Sequence, residues 1–337
     1  MVETYDVVVV GGGAAGLSAA LTLARSRRSV LVIDAADPRN APAGHVHNYL
    51  ARDGVPPGDL LASGRAELTG YGGEVVTGTV TGARRVEDPD GVTGFQVHLA
   101  DGREARARRL LMTTGLADEL PDVPGLAQRW GRDVLHCPYC HGWEVRDQAI
   151  GVLATGPFAA HQALLFRQLS ADVTLFLHTA DPPDPDESAQ LAARDVAVVT
   201  GEVTGLEVTD DRLTGVRLRS GRVVPRQALV VMPRLTARAG VLASLGLAPV
   251  EAEFDGYVIG SYVPTDPTGA TAVPGVWAAG NVADLKAQVI SAAAAGMDAA
   301  VAINTDLVAE DARSAVNARS AVDAVDARRS PAAGSDR

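Results

Sequence analysis

Asp6-Val7-Val8-Val9-Val10-Gly11-Gly12-Gly13-Ala14-Ala15-Gly16 reads as a buried strand running into a glycine turn. An Ala/Leu-rich helical stretch follows to about Arg25, and then a second strand, Val30-Leu31-Val32-Ile33-Asp34. Strand, turn, helix and strand make a βαβ unit, the starting piece of a doubly wound α/β fold. The glycines divide the work: Gly11 makes the tight turn, Gly13 lets backbone approach a pyrophosphate, and Gly16 allows the helix to pack closely. Asp34, at the end of the second strand, is placed to accept hydrogen bonds from a ribose. A glycine motif alone is weak, but with strand, helix and terminal acid it specifies dinucleotide binding.

A second βαβ pattern starts at Ala149-Ile150-Gly151-Val152-Leu153 and runs through Ala154-Thr155-Gly156-Pro157-Phe158-Ala159, with a helix to about Leu169 and a strand Val173–Leu177. Its glycine signature is eroded. Ala154 stands at the first glycine position, and Pro157 removes a backbone donor from the turn. The following loop, Asp181-Pro-Pro-Asp-Pro-Asp-Glu187, is acidic, and no arginine or lysine falls between Arg167 and Arg194. A 2′-phosphate needs basic partners there, so the reading is a nicotinamide-type domain that has largely lost its NAD(P)H chemistry. The alternative is a nucleotide held by residues without a readable pattern.

Between the two patterns lie the chain's two cysteines, in Cys137-Pro138-Tyr139-Cys140. A CxxC pair at the start of a helix favours a thiolate and closes a small redox-active ring. Two other uses compete: inert apolar packing, which the spacing disfavours, and a metal site. His136-Cys137-Pro138-Tyr139-Cys140-His141 is rich in zinc ligands, but adjacent residues such as His136 and Cys137 cannot easily share one tetrahedron, and structural zinc usually draws on separated segments. No metal site is assigned.

The chain has 337 residues, of which 47% are hydrophobic and 21% charged, a globular composition long enough for two domains. Its formal charge of −11 disfavours nucleic acid, whose phosphates demand a basic face. No apolar run has the length of a membrane span, and the first residues lead directly into a strand without a signal-like segment. These features give an expectation of a cytoplasmic protein, where a lone CxxC is catalytic more often than structural. After a β-rich stretch, Val196 to Val231, an Ala/Gly pattern returns at Gly275-Val276-Trp277-Ala278-Ala279-Gly280-Asn281. From about Asp306 the sequence becomes Ala, Arg, Asp and Ser with little periodicity, and residues 311–337 read as a frayed helix followed by disorder.

Over about residues 5 to 307 the sequence resembles the low-molecular-weight thioredoxin reductases, through the GGGAAG turn, Thr113-Thr114-Gly115, the CxxC ahead of the second βαβ pattern, and GVWAAGN. The resemblance implies two Rossmann-like domains: an FAD domain split into 1–116 and 245–310, and an inserted nicotinamide-type domain, 117–244, carrying the CxxC. It assigns FAD contacts to Gly11, Gly13, Ala15, Gly16, Asp34 and Gly115, to Gly280 and Asn281 near the ribityl chain, and to Gln288 with the Val289 backbone. The family usually has aspartate where Asn281 stands, and an amide oxygen can still accept a hydroxyl hydrogen bond. A homodimer is the family's usual state.

Two departures are larger. The aspartate that follows the second cysteine in the reductases is His141 here, and their basic NADPH motif is missing. With His45-Val46-His47-Asn48-Tyr49-Leu50 and Asp53-Gly54, these changes look like the branch containing the gliotoxin and holomycin dithiol oxidases. In that reading His47 and Asn48 lie on the flavin side, His141 is the base beside Cys137 and Cys140, the substrate is a small-molecule dithiol, and oxygen takes the electrons. The rivals are an NAD(P)H-dependent reductase of a thioredoxin-like protein and a flavin-bound redox sensor.

Overall fold

The protein is described by a computed structural model that covers residues 3–87 and 93–329. The opening segment forms β1 (Thr4–Val10), α1 (Ala14–Arg25), β2 (Val30–Asp34), α2 (Pro57–Gly70), β3 (Glu74–Thr77), β4 (Val80–Glu87), β5 (Thr93–Leu99) and β6 (Glu104–Met112). Its sheet runs β3-β2-β1-β6-β5-β4. β1 is central, with Val7 opposite Val30 of β2 and Val8 opposite Leu110 of β6, both in parallel register. A strand covered on both faces needs no polar alternation, which is why Val7, Val8 and Val9 are all fully buried.

The chain then crosses through β7 (Leu116–Glu119) into a second unit: α3 (Leu126–Arg129), β8 (Val134–Leu135), α4 (Pro138–His141), β9 (Ile150–Leu153), α5 (Ala159–Phe166), β10 (Val173–Phe176), α6 (Pro185–Ala193), β11 (Ala197–Val199), β12 (Val203–Thr209), β13 (Arg212–Leu218), β14 (Val223–Pro225) and β15 (Ala228–Val231). A parallel sheet in the order β11-β10-β9-β15-β8 forms its centre, beside the three-stranded β12-β13-β14 meander. The chain returns through β16 (Arg234–Ala237), α7 (Gly240–Ala243), β17 (Val250–Phe254), β18 (Tyr257–Tyr262), β19 (Val276–Ala278) and α8 (Val289–Arg329). β19 pairs with β6 and so completes the first sheet from the far end of the sequence. The expected pair of doubly wound α/β units, the second inserted in the first, is the observed fold.

The two crossings share one sheet, β17-β18-β16-β7. β16 lies antiparallel to β7, with Thr236 opposite Ala117, and parallel to β18, with Leu235 opposite Gly260. The inserted unit's own sheet therefore ends at Val231, ahead of the boundary expected at 244. α7 packs on the first unit, where the Ser244 hydroxyl accepts the Ala83 N–H at 2.9 Å.

α8 corrects the expectation for the tail, because the helix continues through Arg329. Alanine-rich sequence is the strongest helix former, and periodicity is not needed where a helix projects into solvent. Ion pairs tie its middle down: Arg109 to Asp306 and Glu310, Arg108 to Glu310 and Asp311, and Arg28 to Asp311. Residues 330–337 of the expected disordered tail lie outside the described residues. Among the described residues no helix is long and apolar enough to cross a membrane.

Candidate functional site

The glycine turn is built by contact. Gly11 sits at φ +110°, and a Cβ there would lie 2.4 Å from the Thr113 carbonyl oxygen. At Gly16 a Cβ would lie 1.9 Å from the Gly11 oxygen, so only glycine lets α1 start this close to β1. Gly13 and Gly115 face open space, with nothing within 4 Å of where a Cβ would stand. Asp34 accepts the Gly12 N–H at 3.1 Å and a guanidinium N–H of Arg65 at 2.5 Å. Arg65 Nε is buried without a hydrogen-bond partner.

Gly11, Gly12, Gly13, Asp34, Thr113 and Gly115 line a cavity of about 1660 Å³. Ala15 joins them, as do Gly280, Asn281, Gln288 and Val289, where α8 begins. An elongated dinucleotide fits such a space, a glycine cradle open to backbone approach, and a carboxylate at the end of β2. Gly16 works behind the wall, through packing.

Cys137 and Cys140 line the same cavity, bonded to each other as a disulfide with Cα atoms 5.3 Å apart. α4 is a single turn directly after β8. Cys137 is its N-cap in extended backbone, Pro138 occupies the first helical position, and the Cys137 sulfur accepts the Cys140 N–H at 3.1 Å. Buried Gln162 of α5 donates to the His136 carbonyl at 2.8 Å, fixing the approach to the pair. Among the described residues no group of three or more His, Cys, Asp and Glu could hold a metal ion.

His141 closes the turn, donating its backbone N–H to the Cys137 carbonyl at 3.2 Å. Burial holds its imidazole below the usual histidine range, opposed by the Glu144 carboxylate and aided by His47. An imidazole held low in this way is neutral at neutral pH. His136 stacks on Trp130 with ring centroids 5.5 Å apart, and burial, with the Arg39 charge adding, pushes its pKa down to about 4.

His47 also lines the cavity, with Nε2 3.3 Å from Glu144 and Nδ1 3.4 Å from Asp53. Asn48, expected at the flavin, is outside the cavity wall and donates its amide to the Tyr139 carbonyl at 2.5 Å. Its backbone conformation turns the side chain toward the CxxC turn. Asn281, expected to serve a ribityl hydroxyl, spends both donors on the Asp284 and Ala287 carbonyls, while its oxygen faces Arg39 at 3.5 Å. Arg39 forms a two-point ion pair with buried Asp118, at 2.8 and 2.6 Å. Sequence reasoning missed Arg39, Asp118 and Arg65, since neither spacing nor motif marks them.

The second glycine turn differs. The space beside Thr155, Gly156 and Pro157 is only about 90 Å³, bounded across it by Tyr257 and Ile259 of β18. The Phe158 ring lies 4.4 Å from that of Phe254, at the end of β17. His178, just beyond β10, accepts the Val203 N–H through Nδ1 at 3.0 Å. Two acids of the loop form a capping box: Asp184 accepts the Glu187 N–H, and Glu187 accepts that of Asp184. That D-x-x-E signature was readable in the sequence as the start of α6.

The model of the pyridine nucleotide-disulphide oxidoreductase family matches residues 5–300. Thioredoxin reductase tcpT of Claviceps purpurea is 31% identical over 317 residues, covering 90% of this chain and 95% of the relative. Thioredoxin reductase sirT of Leptosphaeria maculans is 31% identical over 324 residues, 91% of this chain and 95% of the relative. The crystal structure of HlmI superposes with a TM-score of 0.86 at 48% identity, covering 94% of this chain and 96% of that one.

Proposed function

This chain belongs to the pyridine nucleotide-disulphide oxidoreductase family, and from that premise we propose that it oxidises a small-molecule dithiol to a disulfide, with FAD as cofactor and oxygen as electron acceptor. The observation that carries this reading is the sharing of one cavity by the Cys137–Cys140 disulfide and the open glycine cradle, while the second nucleotide turn is packed against Phe254.

In the proposed cycle one substrate thiolate attacks Cys137, the Cys137–Cys140 bond breaks, and Cys140 leaves as a thiolate. The second substrate thiol then displaces Cys137 from the mixed disulfide. The substrate has lost two electrons and two protons, and the enzyme pair has gained them. His141, neutral because it is buried, accepts a thiol proton and stabilises the thiolate that forms. FAD, which Gly11, Gly13, Asp34 and the start of α8 would hold in the shared cavity, would supply a two-electron relay from the reduced cysteines to oxygen, with hydrogen peroxide as the product. Tyr139 and Trp143, within the CxxC turn and three residues past it and exposed by 63 and 65%, are large apolar side chains that suit the carbon frame of a small substrate.

The relatives' names favour a second reading, a reductase drawing on NAD(P)H. Anaerobic mixing of the flavin-loaded protein with dithiothreitol, NADH or NADPH separates the two. Bleaching of the flavin by dithiothreitol alone, reversed by air with peroxide formed, is expected. Fast bleaching by a pyridine nucleotide would instead make the protein a reductase.

A further inference from the structure

We propose that Asn48 is a positioning residue for the redox pair, its amide holding the Tyr139 carbonyl so that the Cys137–Cys140 turn stays against the flavin cavity. The donor and acceptor are 91 residues apart, one in the first unit and one in the inserted unit, at 2.5 Å. A one-turn helix has little internal hydrogen bonding to keep its shape. The Cys137 and Pro138 carbonyls are taken up inside the turn by the His141 and Gly142 N–H groups, whereas that of Tyr139 meets Asn48.

The segment carrying Asn48 is a closed strap. Val46 and Val55 bridge, the Val46 N–H reaching the Val55 carbonyl at 2.8 Å, and the Gly54 N–H returns to the Val46 carbonyl at 2.8 Å. Asn48 sits at φ +60°, a left-handed conformation that asparagine tolerates better than most residues, and Asp53 accepts its backbone N–H at 2.9 Å. Beside it His47 faces Glu144, three residues past His141 and on the same side of the inserted unit. The strap thus touches the pair's segment at two points. Each turnover opens the disulfide and lets the two sulfurs part, and an outside tether keeps the turn in place when its own covalent ring is open.

The inference rests on the CxxC redox cycle and not on the identity of the acceptor. Its test uses flavin-loaded Asn48→Gly, which keeps the left-handed backbone and removes the amide, and Asn48→Asp, which keeps size and turn preference but has no donor. Stopped-flow bleaching of the flavin by saturating dithiothreitol is expected to slow about tenfold in both variants, with half-saturation little changed, the loss of one hydrogen bond at the reacting geometry. A slowing of less than roughly threefold in either variant overturns the proposal, since one hydrogen bond at this position would then not govern the step. Loss of FAD overturns it too, by making Asn48 a flavin ligand. If NADPH and not dithiothreitol bleaches the parent, the oxidase reading falls, and the same variants report the tether through the rate at which NADPH converts Cys137–Cys140 to alkylatable thiols.

Discussion

His136 shows what one desolvated side chain does to the whole chain's response to acid. Its folded pKa, about 4, is below the ordinary histidine value of 6.5. Below pH 6.5 the unfolded chain therefore binds a proton that the folded chain refuses until about pH 4. By linkage, stability falls across that window and is retained above it. The loss is at most about 3 kcal/mol for this group. Urea unfolding at pH 7.5 and 4.5 should show the parent losing on the order of 2 kcal/mol more than His136→Gln, which cannot titrate; equal losses would mean that His136 is protonated in the fold.

The same scale shows what the sequence could reveal. The Cys137–Cys140 pair was legible because its chemistry is local, set by spacing within one turn. Asp34 was legible through the strand that ends on it. Arg65, Arg39 and Asn48 were not, since their partners Asp34, Asp118 and Tyr139 are 31, 79 and 91 residues away. An arginine in a loop has no periodicity to announce a partner in another strand. Asn48 was singled out for its motif, but the motif does not say which way an amide in left-handed backbone will point.

Among the elements, the N-terminal βαβ unit and its eroded counterpart were fully readable, since a continuous valine run and a glycine turn each impose one geometry. α8 was not, past Asp306. As far as Asp311 the ion pairs from β6 hold it, and beyond that its alanine-rich sequence carries the helix into solvent. Arg109 is the tightest of these anchors, with a side chain only 8% exposed and contacts of 2.6 Å to both Asp306 and Glu310. Losing it leaves Glu310 with Arg108 alone and Asp306, itself 41% exposed, without a cation. Arg109→Leu should therefore cost about 2 kcal/mol of stability by denaturant midpoint. Arg234→Ala, which breaks a surface pair with Glu251, should cost less than about 1 kcal/mol. Similar losses for both would show that α8 is held by its apolar face alone.

For the whole molecule, two of the contacts that seat the inserted unit on the first lie at functional turns. One is the strap at Asn48, and the other is the Phe158–Phe254 pair at the second nucleotide turn. An aromatic pair contributes on the order of 1 kcal/mol beyond its buried area. Phe254→Ala should raise amide hydrogen exchange over residues 154–159 by about tenfold, while β9 beside it stays protected. Unchanged exchange would mean that the turn is closed by its own loop and not by the hairpin.

The two crossings have a consequence for how such a chain can be assembled. Glu119, the last residue of β7, is the cross-strand partner of Arg234, the first of β16. The 114 residues between them therefore leave and re-enter the host at neighbouring points. A short hairpin turn could join those two strands and close the host on itself, with its valine core and glycine cradle undisturbed. The guest is thus separable in principle, and its entry requires no break in the host's sheets. The two units share a seam, and little of either core depends on the other.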